Sequence, residues 1–219
     1  MGFYRRTLRF LASVMLLTSL AATSWAQRTS APLITQTVDD TKLSVLRGNV
    51  HPLAQKQFDQ GPASAAVPLH RMMLLLQRSP LQEHNLVTFL DAQQDKSSPS
   101  YHKWLSPDEF GQLYGPADGD VQTVTSWLQL HGFQVTRISR GRTMVEFEGT
   151  AGQVEQAFHT SIHSYLVNGE QHWANASDPQ IPVALAPVVA GPVSLNNFSR
   201  KSRKAITRAS FPNRKPRRN

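Results

Sequence analysis

The sequence contains no cysteine. That excludes disulfides, thiolate metal sites, a cysteine nucleophile and a lipidated N-terminal Cys, and it leaves the compartment open, because export permits disulfides without requiring them. A glycine-rich phosphate loop is missing, as are the Gly-x-Ser-x-Gly elbow of α/β-hydrolases and the His-Glu-x-x-His zinc motif. Acidic residues are missing from both ends. Residues 1–26 hold three Arg, residues 199–219 hold nine Lys or Arg, and neither stretch holds an Asp or Glu. The formal charge of +8 therefore resides at the termini, and residues 27–198 carry 11 basic against 15 acidic side chains, a net of −4. A basic end is a feature separate from the fold. With only Phe211 as an aromatic in 199–219, base stacking has little support there, and the tail reads as a disordered, solvated segment. No nucleic-acid partner is expected.

What is present begins with an export signal. Arg5, Arg6 and Arg9 form a basic n-region, Phe10 to Leu20 an apolar h-region, and Ser24-Trp25-Ala26 a small-x-small cleavage site. Cleavage is expected between Ala26 and Gln27, with export by the Sec route to the periplasm or the exterior. The apolar run is short for a membrane span of ~20 residues, so no stable membrane insertion is expected after cleavage.

Four segments follow from the pattern: a signal peptide (1–26), an extended N-terminal arm (27–66), a folded domain (67–198) and the basic tail (199–219). Leu69 to Gln77 is a short apolar run between Pro68 and Ser79-Pro80. It fits a buried strand better than a helix, although periodicity alone does not decide. Three capping boxes mark helix starts: Ser79-Pro80-Leu81-Gln82, Ser106-Pro107-Asp108-Glu109 and Thr150-Ala151-Gly152-Gln153. The first helix is expected to bury Leu86, Phe89 and Leu90, and the second Phe110, Leu113 and Tyr114. A further helix near Asp118 buries Val121, Val124, Trp127 and Leu128 and stops at Gly132. The helix from Thr150 buries Val154, Ala157 and Phe158.

Strands are expected over 133–139, 143–148 and 162–167, with Asn168-Gly169 as a hairpin turn and 171–174 as the return. Residues 178–192, rich in proline and alanine, read as irregular. The order strand, helix, strand, strand, helix, strand is an α+β, ferredoxin-like split β-α-β arrangement: an antiparallel sheet with helices on one face and additional helices inserted.

The chain offers little for catalysis. The eight histidines form no metal-ligand spacing. His159 and His163 straddle a helix–strand boundary, and Glu155 could pair with His159 across one turn. Glu146 and Glu148, two apart on a strand, read as a solvated face and not as an acid/base pair. Asn175-Ala176-Ser177 fits a glycosylation sequon. No catalytic residue, metal ligand or cofactor is expected.

A resemblance is carried by several motifs in order. Ser98-Pro99-Ser100-Tyr101-His102-Lys103-Trp104-Leu105-Ser106-Pro107-Asp108-Glu109-Phe110 is the first. Gln112-Leu113-Tyr114-Gly115-Pro116, the stretch from Val124 to Val135, and the run from Phe147 to Phe158 follow it. Together they resemble the activation domain, or propeptide, of the sedolisin/kumamolisin family of serine-carboxyl peptidases, over about residues 45–198. The resemblance implies a folding assistant and inhibitor that packs on a cognate peptidase catalytic domain, in cis or in trans. The segment after the fold would pass through the active-site cleft and be cut in acid. Tyr101 and Trp104 are candidate partner contacts, alongside a structural role expected for Tyr101, Trp104, Phe110, Tyr114, Trp127, Phe147 and Phe158. Asn196, Asn197 and Phe198 are expected to approach the cleft. Only 21 residues follow Phe198, where the family continues with its catalytic domain. A split or truncated zymogen and a free-standing inhibitor both fit. An alternative function is an exported polyanion- or surface-binding module that uses the basic tail. Asp108, Glu146 and Glu148 are carboxylates available for acid-triggered release.

Overall fold

A computed structural model of the chain describes residues 30–198. In chain order the elements are β1 (Leu43–Val45), β2 (Asp59–Pro62), β3 (Pro68–Leu76), α1 (Pro80–Gln94), α2 (Pro107–Tyr114), α3 (Asp118–Leu130), β4 (Gln134–Ile138), β5 (Met144–Thr150), α4 (Ala151–Phe158), β6 (Ile162–Val167), β7 (Glu170–Asn175), β8 (Gln180–Pro182) and β9 (Val189–Pro192). Short 3-10 turns lie at Lys56–Phe58 and Val183–Leu185. The export signal, with Ala26 and Gln27, and the tail from 199 onward lie outside the described residues.

Local chemistry sets the helix starts. Ser79, Ser106 and Thr150 each accept from the backbone N–H three residues on, while Gln82, Glu109 and Gln153 return a side-chain oxygen to the cap N–H. Each reciprocal pair satisfies two donors that a bare helix end leaves open. At the other end of α3, Gly132 takes φ +79°, a conformation that costs a residue with a Cβ. Gly111 serves packing: a Cβ there would sit 2.2 Å from the Arg140 carbonyl oxygen. Its absence lets α2 lie directly on the β4–β5 turn.

Three antiparallel sheets result. The largest has the order β4-β5-β3-β9; β2-β6-β7 form a second and β1-β8 a third. Numbered within the split β-α-β unit, the four strands run 2-3-1-4, the ferredoxin-like order. Arg71 takes φ +57° in a bulge between Leu69 and Met72. The bulge resets the alternation of β3, so that Leu69, Met72, Leu74 and Leu76 all point inward. They meet Val145 and Phe147 of β5, Val124, Trp127 and Leu128 of α3, and Val154, Ala157 and Phe158 of α4. Trp127 meets Phe158 edge-on at 5.3 Å, and Phe133 meets Phe147 edge-on at 5.1 Å. Such aromatic pairs add ~0.5–1.5 kcal/mol each beyond area burial.

The structure corrects several expectations. The fourth strand of the main sheet is β9, within the stretch read as irregular, whereas β6 belongs to the second sheet. An edge strand tolerates Pro192 and Gly191 because only one of its sides must bond. Helix α1 is largely exposed: Leu86 is buried, but Leu90 is 49 % exposed, because α1 packs mainly beside α2 at the rim. Leu113 of α2 also faces solvent. Glu155 does not reach His159, which ends α4 in the left-handed region; its carboxylate accepts from the Ile162 N–H at 3.2 Å. Asn175 of the sequon is fully buried, and its amide donates to the carbonyls of Asn49 and Ser177, both at 2.9 Å. The folded chain does not present it as an acceptor.

Residues 30–66, read as an extended arm, are tied to the fold along their length. β1 pairs with β8, β2 pairs with β6, and Leu46 enters the core. Asp120 holds the start of the segment. Its carboxylate, in the first turn of α3, is 1 % exposed and accepts from the Leu33 and Ile34 N–H groups at 2.9–3.0 Å. The positive end of the α3 dipole favours the charge there. Asp120→Ala leaves two backbone donors unpaired. We expect a loss of ~2–4 kcal/mol in urea unfolding, and protease cleavage near residue 34 that the unaltered chain resists.

Candidate functional site

Inward and outward side chains alternate on the main sheet, and helices cover only the inner face. The outer face is open. Register places Met73 of β3 opposite Glu146 of β5, Leu75 opposite Met144, and Glu146 opposite Arg137 of β4. Val193 joins the face beyond β9, its N–H donating to the Met73 carbonyl. Leu75 is 43 % and Val193 48 % exposed. Apolar side chains standing on an uncovered sheet are a feature of surfaces that bind.

Charges frame the apolar strip in a fixed pattern. Glu146 lies between two guanidiniums, Arg137 at 2.8 Å and Arg71 at 3.9 Å. His70 and Glu148 meet at 2.6 Å. Glu146 is engaged by two guanidiniums and Glu148 by the His70 ring, and not by each other, so they form no acid/base pair. Each is less exposed than its partner, which leaves Arg71, Arg137 and His70 to project. The face offers an apolar strip bordered by positive groups. Among the described residues, no group of three or more His, Cys, Asp or Glu is placed to hold a metal ion.

The candidate contact residues fall in two other places. Tyr101 and Trp104 lie on the α1–α2 loop, where His102 takes φ +54° and stacks on Tyr101 at 3.8 Å. The Gln93 side chain donates to the Lys103 carbonyl and pins the loop from beneath. Tyr101 is half-buried, but Trp104 is 69 % exposed. The left-handed residue turns the chain outward, so a core role for Trp104 does not hold. Asn196, Asn197 and Phe198 extend the second sheet. Asn197 exchanges two bonds with Trp173 of β7, and Phe198 packs in a small cluster with Tyr165, Val167 and Ala174. They form a C-terminal strap, separate from both the open face and the Trp104 loop. Motif reasoning missed Met73, Leu75 and Val193. For Met73 and Leu75 the signal was the alternation within 69–77, masked by the bulge at Arg71; Val193 directly follows a stretch read as irregular.

The chain is 32 % identical over 134 residues to xanthomonalisin of Xanthomonas sp. (strain T-22), covering 61 % of this chain and 16 % of that protein. It is 28 % identical over 118 residues to sedolisin of Pseudomonas sp. (strain 101), covering 54 % of this chain and 20 % of that protein. The match to aorsin of Aspergillus oryzae, 28 % over 99 residues, covers 44 % and 15 %. The chain thus spans only a small part of each relative's length. The family model for the pro-kumamolisin activation domain matches residues 55–198, from the 3-10 turn before β2 through the main sheet to the strap. On that match, this chain belongs to the pro-kumamolisin activation domain family.

Proposed function

We propose that this chain is an exported, non-catalytic propeptide that docks its open sheet face on a sedolisin-type peptidase catalytic domain, aiding that domain's folding and inhibiting it. The observation that supports the reading most is the uncovered face of a sheet whose other side is a finished core. Met73, Leu75 and Val193 give a partner apolar area to bury, and Arg71 and Arg137 give it charges to answer. A surface carried on an already packed sheet lowers the ordering cost of binding. Because it binds only the folded partner, it stabilises that state by RT ln(1 + [L]/Kd), ~2.7 kcal/mol at a hundredfold excess over Kd.

Acid weakens the proposed complex. Carboxylates that meet across an interface lose their favourable charge contacts once protonated. The test uses the full chain with a sedolisin-type peptidase. We expect inhibition in the low micromolar range or tighter at pH 7, faster recovery of activity when the denatured peptidase refolds with the chain present, and weaker inhibition at pH 4. Neither inhibition nor refolding help would reject the reading. Equal affinity at pH 7 and pH 4 would remove the acid step alone.

A further inference from the structure

The strap after β9 ends in a stacked arrangement of three rings. Phe198 lies 4.3 Å from His51 with the planes 8° apart, and 4.3 Å from His172 with the planes 21° apart. Two rings this close to parallel with a third cannot share one of its faces without colliding, so the phenyl ring lies between the two imidazoles. His51 precedes the first 3-10 turn, His172 is on β7, and Phe198 is the last described residue. The clamp therefore joins three distant parts of the chain. The remaining bonds of the strap are few: Asn197 N–H to the Trp173 carbonyl at 3.1 Å, Trp173 N–H to Asn197 Oδ1 at 2.8 Å, Phe198 N–H to Asn196 Oδ1 at 3.2 Å, and a single bridge between Asn196 and Ala174. One residue earlier, Leu195 is buried in the main core, which makes it the natural hinge.

We propose that Asn196–Phe198 is an acid-released latch, its phenyl ring clamped between the imidazoles of His51 and His172. In water each imidazole accepts a proton freely in mild acid. In the clamp a charge on His51 is opposed first by burial and second by His172, and both hold its pKa below the ordinary 6.5. A phenyl face attracts one cation. Two cations on opposite faces repel each other, and each loses water. Because the folded chain favours neutral His51, its stabilising contribution is complete above pH 6.5 and is lost as pH falls below that value.

The other charged groups around the clamp sharpen the assignment. Glu170 of β7 lies 3.8 Å from His172 Nε2, a carboxylate beside that ring, and the group whose charging opens the clamp is His51. His172 Nδ1 is buried with no hydrogen-bond partner, so a proton there would have no acceptor. On β6, His163 bonds both oxygens of Asp59 of β2 at 2.9 Å, and Tyr165 touches Phe198. Burial pushes the Asp59 carboxyl up, but the Gly61 N–H and His163 outweigh it and hold it below the usual range. Asp59 therefore stays ionised while the imidazoles titrate and is not the trigger. The clamp stands on this geometry alone.

Amide hydrogen exchange on the full chain without any peptidase tests the latch. We expect the protection factor of the Asn197 amide, corrected for intrinsic exchange, to fall at least tenfold between pH 7 and pH 5, while Val145 and Phe147 keep theirs. The midpoint should follow the titration of the His51 ring read by proton NMR, and His51→Gln should retain protection at pH 5. Protection that is equal at both pH values, a midpoint that follows His163, or a His51→Gln chain that still loses protection overturns the proposal. Inhibition of a peptidase plays no part in this readout, so the latch and the docking function stand or fall separately.

Discussion

Leu75→Glu is expected to weaken inhibition of a sedolisin-type peptidase a hundredfold or more and to leave the stability of the free chain within ~0.5 kcal/mol. In the free chain the new carboxylate points from an uncovered sheet face into water, where a charge costs little. In a complex it would be buried against the partner without a counter-charge, a penalty of several kcal/mol, and a hundredfold in affinity is ~2.7 kcal/mol. Leu130→Glu is the control. Leu130 is more exposed than Leu75, but it ends α3, in the layer on the opposite side of the sheet, so inhibition should not change. Inhibition assays on the two variants, with urea unfolding of each, check both halves. Equal inhibition by the Leu75→Glu and unaltered chains would remove the sheet face from the interface.

Phe158→Ala should destabilise the chain by ~3–5 kcal/mol. Phe158 is fully buried at the point where the helical layer meets the sheet. Its ring lies 5.3 Å from Trp127, 5.9 Å from Phe133 and 6.1 Å from Phe147. Removing it opens a cavity lined by aromatic rings, which are too rigid to collapse into it. Against a total stability of ~5–15 kcal/mol for a typical domain, that loss takes much of the margin. Urea unfolding should show a lower midpoint with an unchanged slope. A loss below ~1 kcal/mol would mean that the core repacks around the gap. Leu75→Glu should abolish binding and spare the fold; Phe158→Ala should weaken binding only as far as it depopulates the fold.

Ser79, Ser106 and Thr150 were legible as helix starts because each bonds within three residues, so neighbouring letters contain the whole interaction. Asn168-Gly169 was legible as a hairpin for the same reason: both residues take positive φ, which their side chains allow. The inward stripe of α3 was read correctly because one helix face meets one core. Where a residue's role depends on a distant partner, local pattern had nothing to report. Val189–Pro192 becomes a strand only because β3, more than a hundred residues earlier, offers it an edge. Leu90 is exposed because, among the described residues, no element covers that side of α1, and Trp104 because His102 turns the loop outward.

The amino-acid order alone determined the α+β class, the capped helix starts, the hairpin and the motifs that carry the family resemblance; the starts and the hairpin rest on contacts within a turn or two of chain. Only the tertiary structure decided which strand completes the main sheet, which of its faces stays open, and that two histidines 121 residues apart meet across Phe198. These outcomes depend on long-range pairing, which is settled when the core closes and every buried backbone group must find its partner.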